Sequence, residues 1–274
     1  MALVAFTEQP TFLIATPENI AAISNHKIHF ISSQFSSIET PPLQPICLDF
    51  IQDSVLAYGT KTGGIGIFDY RNSVHNLFTP ANLRYQTYLI KANSNTLWAA
   101  CDQNENSVAM FDLRNMQQPL QVSDVVTDKI VSFVQKENGH VICVSDNGDY
   151  TEFNCFGDFV SRKICQSSKR LIQTCYNMKN EYFISLFDES VVVHDMDNVY
   201  DEIINEGAVY ENVFFANTNQ TVFVSNEMIS ICSDKCDEIY TIDARNSLAC
   251  QFKNGFLWCQ NGELFYEDVN SKKE

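Results

Sequence analysis

The most unusual local composition in this sequence is a block of like charge between residues 188 and 211. That stretch contains no Lys or Arg and eight acids: Asp188, Glu189, Asp195, Asp197, Asp201, Glu202, Glu206 and Glu211. Clustered carboxylates attract basic side chains, and neighbouring tyrosines can act as aromatic anchors. We expect a patch that captures a basic partner, with these candidate residues: Asp197, Tyr200, Asp201, Glu202, Glu206 and Tyr210. The alternative is a solvated outer strand whose acids discourage unwanted edge pairing.

Catalytic and metal-binding patterns are not found in the sequence. The five histidines are spread along the chain without His-x-x-x-His spacing, and Cys232 and Cys236 have no second ligand pair nearby. No Gly-x-Ser-x-Gly elbow or phosphate-binding Gly-Lys-Ser/Thr loop occurs. We therefore expect no metal, no cofactor and no enzymatic activity.

The composition favours strands and protein partners. Apolar residues make up 45% of the 274 residues and include twenty Phe and eleven Tyr, which suit pleated sheets. The net charge of −16 opposes charge-driven binding to nucleic acid, because contacts with phosphates would start from repulsion. Partners with basic surfaces are expected instead, such as ribosomal proteins or histones.

The sequence shows no secretory signal and no apolar run long enough to span a membrane. Five cysteines fall in apolar, strand-like runs and should be reduced: Cys101, Cys143, Cys155, Cys175 and Cys259. The expectation is a monomer within a larger complex, away from membranes, in the cytoplasm, the nucleus or both.

One short pattern recurs along the chain, in which an apolar strand is followed by an acid or its substitute and then by a turn. The clearest copies run from Gly66 to Asn72 and from Ala109 to Asn115. The acids of these copies are Asp69 and Asp112, and two later copies have Asn154 and Asp195 at the same point. These four positions, 69, 112, 154 and 195, are 43, 42 and 41 residues apart. A spacing near 42 is typical of a four-stranded propeller blade.

Strand patterns over the whole chain predict an all-β fold, a seven-bladed β-propeller of four-stranded blades formed by residues 1–274 as one domain. The last blade supplies only three runs before the chain stops, and Ala2 to Glu8 is left over at the start. We expect that N-terminal strand to pair with the last blade and close the ring. In this register Ile242 and Asp243 belong to a fourth strand. A six-bladed ring or a pair of β-sandwiches is the alternative.

The repeated segments resemble the Trp-Asp (WD) repeat family, whose third strand ends in Trp-Asp. The corresponding pairs here are Phe68-Asp69, Phe111-Asp112 and His194-Asp195. Repeats of that family also carry Gly-His before the first strand, but the Gly-His here, Gly139-His140, falls in an inner turn. The Asp-His network of the family should therefore be absent or rebuilt.

A second resemblance rests on Asp69-Tyr70-Arg71 and Asp112-Leu113-Arg114, one on each of two adjacent blades. They resemble the Trp-Asp-x-Arg motif of propellers that act as substrate receptors of cullin-RING ubiquitin ligases. The resemblance implies that Arg71 and Arg114 reach the narrow face and meet a ligase adaptor. In propellers with other roles, such an arginine pairs with a neighbouring blade.

Together these features favour a non-catalytic protein-interaction platform, a subunit or adaptor of a multiprotein or ribonucleoprotein assembly. A ribosome-bound or chaperone-like factor for basic proteins is one alternative. A substrate receptor of a cullin-RING ligase is the other.

Overall fold

The computed structural model is built from β-strands. It describes residues 3–32, 37–39, 44–79, 86–93, 95–101, 108–123, 125–126, 128–164, 169–188, 190–196, 199–204, 209–217, 219–233 and 236–270. Within these ranges, no helix has the length and apolar character needed to cross a membrane. The strands form seven four-stranded antiparallel sheets, arranged as the blades of a β-propeller.

The chain divides into two compact units, and the first comprises Leu3–Lys129. It begins with β1 (Val4–Ala5) and contains three complete sheets. Blade 1 holds β2 (Phe12–Ala15), β3 (Asn19–Ser24), β4 (Lys27–Ser32) and β5 (Ser37–Glu39). Blade 2 holds β6 (Pro45–Gln52), β7 (Val55–Thr60), β8 (Ile65–Asp69) and β9 (Val74–Phe78). Blade 3 holds β10 (Thr87–Asn93), β11 (Thr96–Cys101), β12 (Val108–Asp112) and β13 (Gln121–Ser123).

The second unit begins at Ile130 and contains the remaining strands. Blade 4 holds β14 (Ile130–Gln135), β15 (Val141–Ser145), β16 (Asp149–Phe153) and β17 (Phe159–Ile164). Blade 5 holds β18 (Leu171–Asn177), β19 (Tyr182–Phe187), β20 (Ser190–His194) and β21 (Val199–Ile204). Blade 6 holds β22 (Tyr210–Asn217), β23 (Gln220–Ser225), β24 (Met228–Ser233) and β25 (Glu238–Asp243). Blade 7 holds β26 (Leu248–Phe252), β27 (Gly255–Gln260) and β28 (Glu263–Asp268).

The predicted fold class is confirmed, including the closure by the N-terminal strand. The strand order of the last sheet is β1-β28-β27-β26, so the leftover N-terminal strand supplies the fourth strand of blade 7. Ile242 and Asp243 lie in β25, the outer strand of blade 6, as expected. The six-bladed and sandwich alternatives are wrong. That residues 1–274 behave as one domain stays a prediction.

The packing of the first and second strands of each sheet shows how neighbouring sheets associate. Within each unit, the first strand of one sheet packs against the first strand of the next, as β6 does with β10 and β18 with β22. Every residue of β3, β15 and β23 is buried, so both faces of these strands are covered. Burial on both faces is why apolar residues run together in these strands, as in Ile20–Ile23 and Val222–Val224, without the strict alternation of a half-exposed strand.

A buried carboxylate joins blades 2 and 3 in the first unit. Asp49 on β6 accepts a hydrogen bond from the backbone N–H of Ala92 at 2.6 Å, and its carboxylate lies 3.2 Å from the Lys91 ammonium. The Asp49 side chain is buried, so the two donors replace the water that it has lost. This pair of contacts fixes β10 against β6.

Blade 2 contains a large side chain seated directly over a glycine. The ring of Tyr58 on β7 is fully buried and lies over Gly66 on the paired strand β8. Its hydroxyl is hydrogen-bonded to Nε2 of His75 on β9, and the two rings stack with centroids 5.6 Å apart. A Cβ at Gly66 would lie 1.8 Å from Cζ of Tyr58, so any other residue would displace the ring.

One sequence expectation about the cysteines is wrong. The nine cysteines that the structure describes are free, and Cys101, Cys143 and Cys259 are buried as expected, whereas Cys155 is exposed. Cys155 lies in the polar turn after β16, where Oδ1 of Asn154 accepts hydrogen bonds from two backbone N–H groups of the turn. Phe153, Asn154 and Cys155 alternate apolar, polar and apolar, so the strand pattern continues in the sequence past the residue at which β16 ends.

The steric role of Gly66 is tested by the substitution Gly66→Ala. We expect a loss of about 1–3 kcal/mol in the free energy of unfolding, because the added methyl group overpacks the Tyr58 site. Urea denaturation of both proteins measures the difference. The same substitution in a Tyr58→Leu background should cost clearly less, and equal costs in the two backgrounds would show that the Tyr58 ring is not the cause.

Candidate functional site

The predicted acidic patch is divided by the structure. Tyr200, Asp201 and Glu202 lie on β21, the outer strand of blade 5. Two further candidates, Asp197 and Glu206, lie outside the described residues. The expected outer strand of blade 5 is thus present, and its sequence, VYDEII, carries two of the predicted acids.

Tyr210, the last candidate of that patch, lies on another sheet. It begins β22, the first strand of blade 6, and its ring packs against Phe223 with centroids 5.1 Å apart. Burial raises the pKa of its hydroxyl. Tyr210 is half-buried within blade 6, so it is separated in the fold from Tyr200 on the outer strand of blade 5.

Arg71 and Arg114 occupy equivalent turns, each after the third strand of its blade. The Arg71 guanidinium donates to both carboxylate oxygens of Asp69, at 3.0 and 2.8 Å. Arg114 makes the same two-point contact with Asp112, at 2.9 and 2.5 Å. Each arginine is therefore held by the aspartate of its own turn.

These two turns keep their arginines at the surface. The side chains of Arg71 and Arg114 are 56% and 82% exposed. Hydrogen bonds from Arg114 lower the pKa of Asp112 to about 2, and those from Arg71 lower the pKa of Asp69. Both aspartates are therefore ionised near neutral pH, and both turns present a fixed guanidinium.

A cavity of about 330 Å³ lies at the boundary of blades 4 and 5 in the second unit. Three turns and the strands next to them form it: the turn after β14, the turn after β18 and the turn after β20. Its lining residues are Lys136, Tyr176, Asn180, Glu181, Phe183, Asp195 and Met196. We call it the blade 4–5 pocket.

Two carboxylates and two aromatic rings give this pocket its chemistry. Glu181 is exposed in the turn after β18, and Asp195 is partly buried directly after β20. The rings of Tyr176 and Phe183 lie 4.8 Å apart at an angle of 42°. Burial raises the pKa of Tyr176, and the nearby charge of Glu181 raises it further, so its hydroxyl stays protonated at neutral pH.

The single cation of the pocket lining, Lys136, is engaged by a neighbouring carboxylate. Oε1 of Glu152 on β16 lies 3.1 Å from Nζ of Lys136 and 2.7 Å from Nδ1 of His140. Burial alone would raise the pKa of Glu152, but the hydrogen bonds from His140 and Lys136 outweigh burial and lower it. The positive charge of Lys136 is therefore offset by a carboxylate that stays ionised.

A buried hydrogen-bond network fixes the wall that carries Asp195. Oγ of Ser185 lies 2.8 Å from Nε2 of His194, 2.5 Å from the hydroxyl of Tyr150 and 2.8 Å from Oγ1 of Thr174. The other ring nitrogen of His194 lies 2.8 Å from the carbonyl oxygen of Asp195, so it donates to that oxygen. Blades 4 and 5 thus share a buried polar network, in which Tyr150 of blade 4 is joined to Ser185 and His194 of blade 5.

Much of this pocket could not be foreseen from the sequence. Asp195 belongs to the predicted acidic stretch, but Glu181, Tyr176 and Lys136 lie outside it and come from separate turns and strands. The feature of the sequence that could have indicated the pocket was the acid at position 181, in the tight turn between β18 and β19. Nothing in the sequence pattern indicates that this turn meets the one carrying Asp195.

Binding of a cation is the chemistry that this arrangement supports. Carboxylates attract an ammonium or guanidinium group, and aromatic faces add cation–π attraction. Among the described residues, no group of three or more His, Cys, Asp or Glu side chains is placed to hold a metal ion. The pocket therefore fits an organic cation better than a metal.

Comparisons with known proteins identify the fold. No family model matches the sequence, and no curated protein matches it. A chain from a solved structure, "Crystal Structure of Mitotic Checkpoint Complex", superposes with a TM-score of 0.76 at 9% sequence identity. The match covers 96% of this chain and 93% of that chain.

The seven four-stranded blades and this likeness define a seven-bladed β-propeller. At 9% identity the likeness shows the fold alone. Membership of the WD-repeat family stays a proposal that rests on the three strand-end motifs.

The His194 network predicts a pH dependence of stability. Burial lowers the pKa of His194 below its ordinary value, so the unfolded chain takes up a proton at a higher pH than the folded chain. The contribution of His194 to stability is present above the ordinary histidine pKa and is lost as the pH falls towards the folded value. Urea denaturation at about pH 7.5 and about pH 5.5 measures the free energy of unfolding at the two pH values. Its decrease between them should be smaller for His194→Gln than for the unaltered protein.

Thr174→Val is the matched control for this experiment. It removes a hydroxyl from the same network without removing a titrating group, so stability should fall at both pH values by a similar amount. Equal pH dependence in His194→Gln and the unaltered protein would show that His194 does not contribute.

Proposed function

We propose that this protein is a non-catalytic interaction platform, a WD-type propeller subunit or adaptor that binds a basic partner through blade 5. The observation that carries the proposal is the blade 4–5 pocket, where Glu181 and Asp195 stand beside the rings of Tyr176 and Phe183. A lysine or arginine side chain of the partner would enter this pocket. The acidic outer strand β21 on the same blade would attract the surrounding basic surface.

The dimensions and charges of the pocket support this choice of ligand. A volume of about 330 Å³ is at the small end of ligand sites, which suits one long side chain better than a large cofactor. Lys136 is held by Glu152, so the carboxylates of Glu181 and Asp195 dominate the field felt by an incoming group. A long aliphatic stem could pack on the partly exposed ring of Tyr176 while its charged end meets the acids.

The fold supports a role in assembly. Propeller blades of this length are joined by short turns, and binding surfaces in such folds are built from those turns and from outer strands. The solved chain with the same fold belongs to a mitotic checkpoint complex, which is an assembly of proteins. A multiprotein or ribonucleoprotein assembly in the cytoplasm or nucleus is the setting that we propose.

A basic partner also fits a ribosome-bound or chaperone-like factor. Ribosomal proteins and histones carry the exposed lysines and arginines that the pocket would take, and the net charge of −16 would favour their approach. This version of the proposal shares the same pocket and the same test.

The test is removal of the two pocket carboxylates by the double substitution Glu181→Gln and Asp195→Asn. Pull-downs from the native organism at about 50 and about 300 mM salt should recover basic proteins with the unaltered chain at low salt and lose them at high salt. The double variant should recover roughly tenfold less of these proteins at low salt, because truncating the groups at a binding centre removes most of the affinity.

The matched control is Glu238→Gln with Asp243→Asn on β25. Both residues are exposed, and this control removes the same number of negative charges from a different blade. It should retain the basic partners. Equal losses in the two double variants would show that net charge alone attracts the partners, which would rule out the pocket as their binding site.

The paired arginine turns favour a second candidate function, a substrate receptor of a cullin-RING ligase. The specific observation is that Arg71 and Arg114 adopt the same two-point geometry on adjacent blades and are both exposed. A repeated and fixed guanidinium is suited to an adaptor surface with carboxylates.

Charge reversal tests this candidate. In the double variant Arg71→Glu and Arg114→Glu, binding to a purified ligase adaptor should fall below detection, because each new glutamate would repel Asp69 or Asp112 and the adaptor. Thermal unfolding should show that the variant remains folded, since both side chains are at the surface. Adaptor binding that is unchanged, or absent already in the unaltered protein, would remove this function.

A further inference from the structure

The outer strand of blade 4, β17, has an unusually apolar surface. Its side chains Phe159, Val160 and Ile164 are 49%, 46% and 65% exposed, and Phe156 in the preceding turn is 75% exposed. In the strand order β14-β15-β16-β17 it is the last strand, so its outer side has no neighbour within the sheet. We call Phe156 and the strand Phe159–Ile164 the β17 edge.

The β17 edge is also basic, in contrast with the rest of the chain. The strand itself, residues 159–164, contains two basic residues and no Asp or Glu, although the net charge of the chain is −16. Of the seven outer strands in the described sheets, only β17 contains Lys or Arg, namely Arg162 and Lys163. An acidic ligand would meet a favourable charge at this edge.

Side-chain contacts hold β17 firmly on its inner neighbour. Arg162 forms an ion pair with the buried carboxylate of Asp149, and Oγ of Ser161 lies 3.5 Å from Oε2 of Glu152. The register places Phe159 opposite Phe153, with an irregularity at Val160. An incoming strand would therefore meet a preformed edge, and little ordering of this strand would be needed.

We infer that the β17 edge binds an extended peptide that alternates apolar and acidic residues, which adds to blade 4 as a fifth strand. Backbone hydrogen bonds to the open side of β17 would supply affinity, and alternate side chains would select the sequence. The register places Phe159 and Ile164 on one face of β17 and Lys163 on the other. Apolar residues of the peptide would cover Phe159 and Ile164, and its acids would lie on the face of Lys163. This inference is independent of the proposed role of blade 5.

Charge argues against a second copy of this chain as the occupant. Pairing of β17 with its own copy would bring Arg162 and Lys163 of both chains together, and like charges across a strand pair are destabilising. Lysine on an outer strand can also serve only to prevent pairing. A strand that only prevents pairing would not need Phe156, Phe159, Val160 and Ile164 at its surface, so an acidic partner fits better.

The experiment uses the full chain and a fluorescent ten-residue peptide in which Val and Phe alternate with Glu. We expect saturable binding by fluorescence anisotropy that weakens as salt is raised, and slower hydrogen exchange of amides in residues 159–164. The double variant Phe159→Thr and Ile164→Thr should bind about tenfold more weakly, and Lys163→Glu about fivefold more weakly. Threonine preserves strand propensity, so folding should be retained.

The matched control is Ile239→Thr on β25, an outer-strand isoleucine that is 53% exposed. It should bind the peptide as the unaltered chain does. A peptide with Lys in place of Glu should not bind. Absence of binding, equal binding by the double variant, protection outside β17, or self-association through residues 159–164 would each overturn the inference.

Discussion

The near-complete burial of the second strand in blades 1 to 6 is the constraint on which the rest of this structure depends. Strands such as β15 and β23 expose no residue to solvent, so each needs a sheet on either side. A polar group on such a strand loses its contact with water, so a hydrogen-bond partner inside the protein stabilises it. Ser185 on β19 shows the result, since its hydroxyl lies within hydrogen-bonding distance of Thr174, Tyr150 and His194.

This constraint moves recognition chemistry to the turns and outer strands. The fixed guanidinium of Arg71, the carboxylate of Glu181 and the exposed ring of Phe159 all lie where a blade ends or has no further strand. The buried strands contribute indirectly, because they set where each turn emerges. The bond from His194 to the carbonyl of Asp195 is one such link between a buried network and a pocket wall.

Local sequence patterns were sufficient to predict the blades but not the pocket. Alternating apolar runs and the spacing of Asp69 and Asp112 report on neighbours along the chain, and the structure confirms the strands they predicted. Contacts such as Glu152 with Lys136, or Tyr58 over Gly66, join residues on different strands and depend on the packing of whole side chains. The local pattern fails at Cys155, because Phe153, Asn154 and Cys155 keep the alternation of a strand beyond the end of β16.

Charge is separated between two neighbouring sheets of the second unit. The outer strand of blade 4 carries Arg162 and Lys163, and the outer strand of blade 5 carries Asp201 and Glu202. A ligand of one charge that is attracted to one strand is repelled by the other, so one charged surface cannot use both. Under the two proposals made above, these strands would bind partners of opposite charge on adjacent blades. The basic strand β17 would then repel a basic partner of β21, and the acidic strand β21 would repel an acidic partner of β17, because like charges would meet at close range.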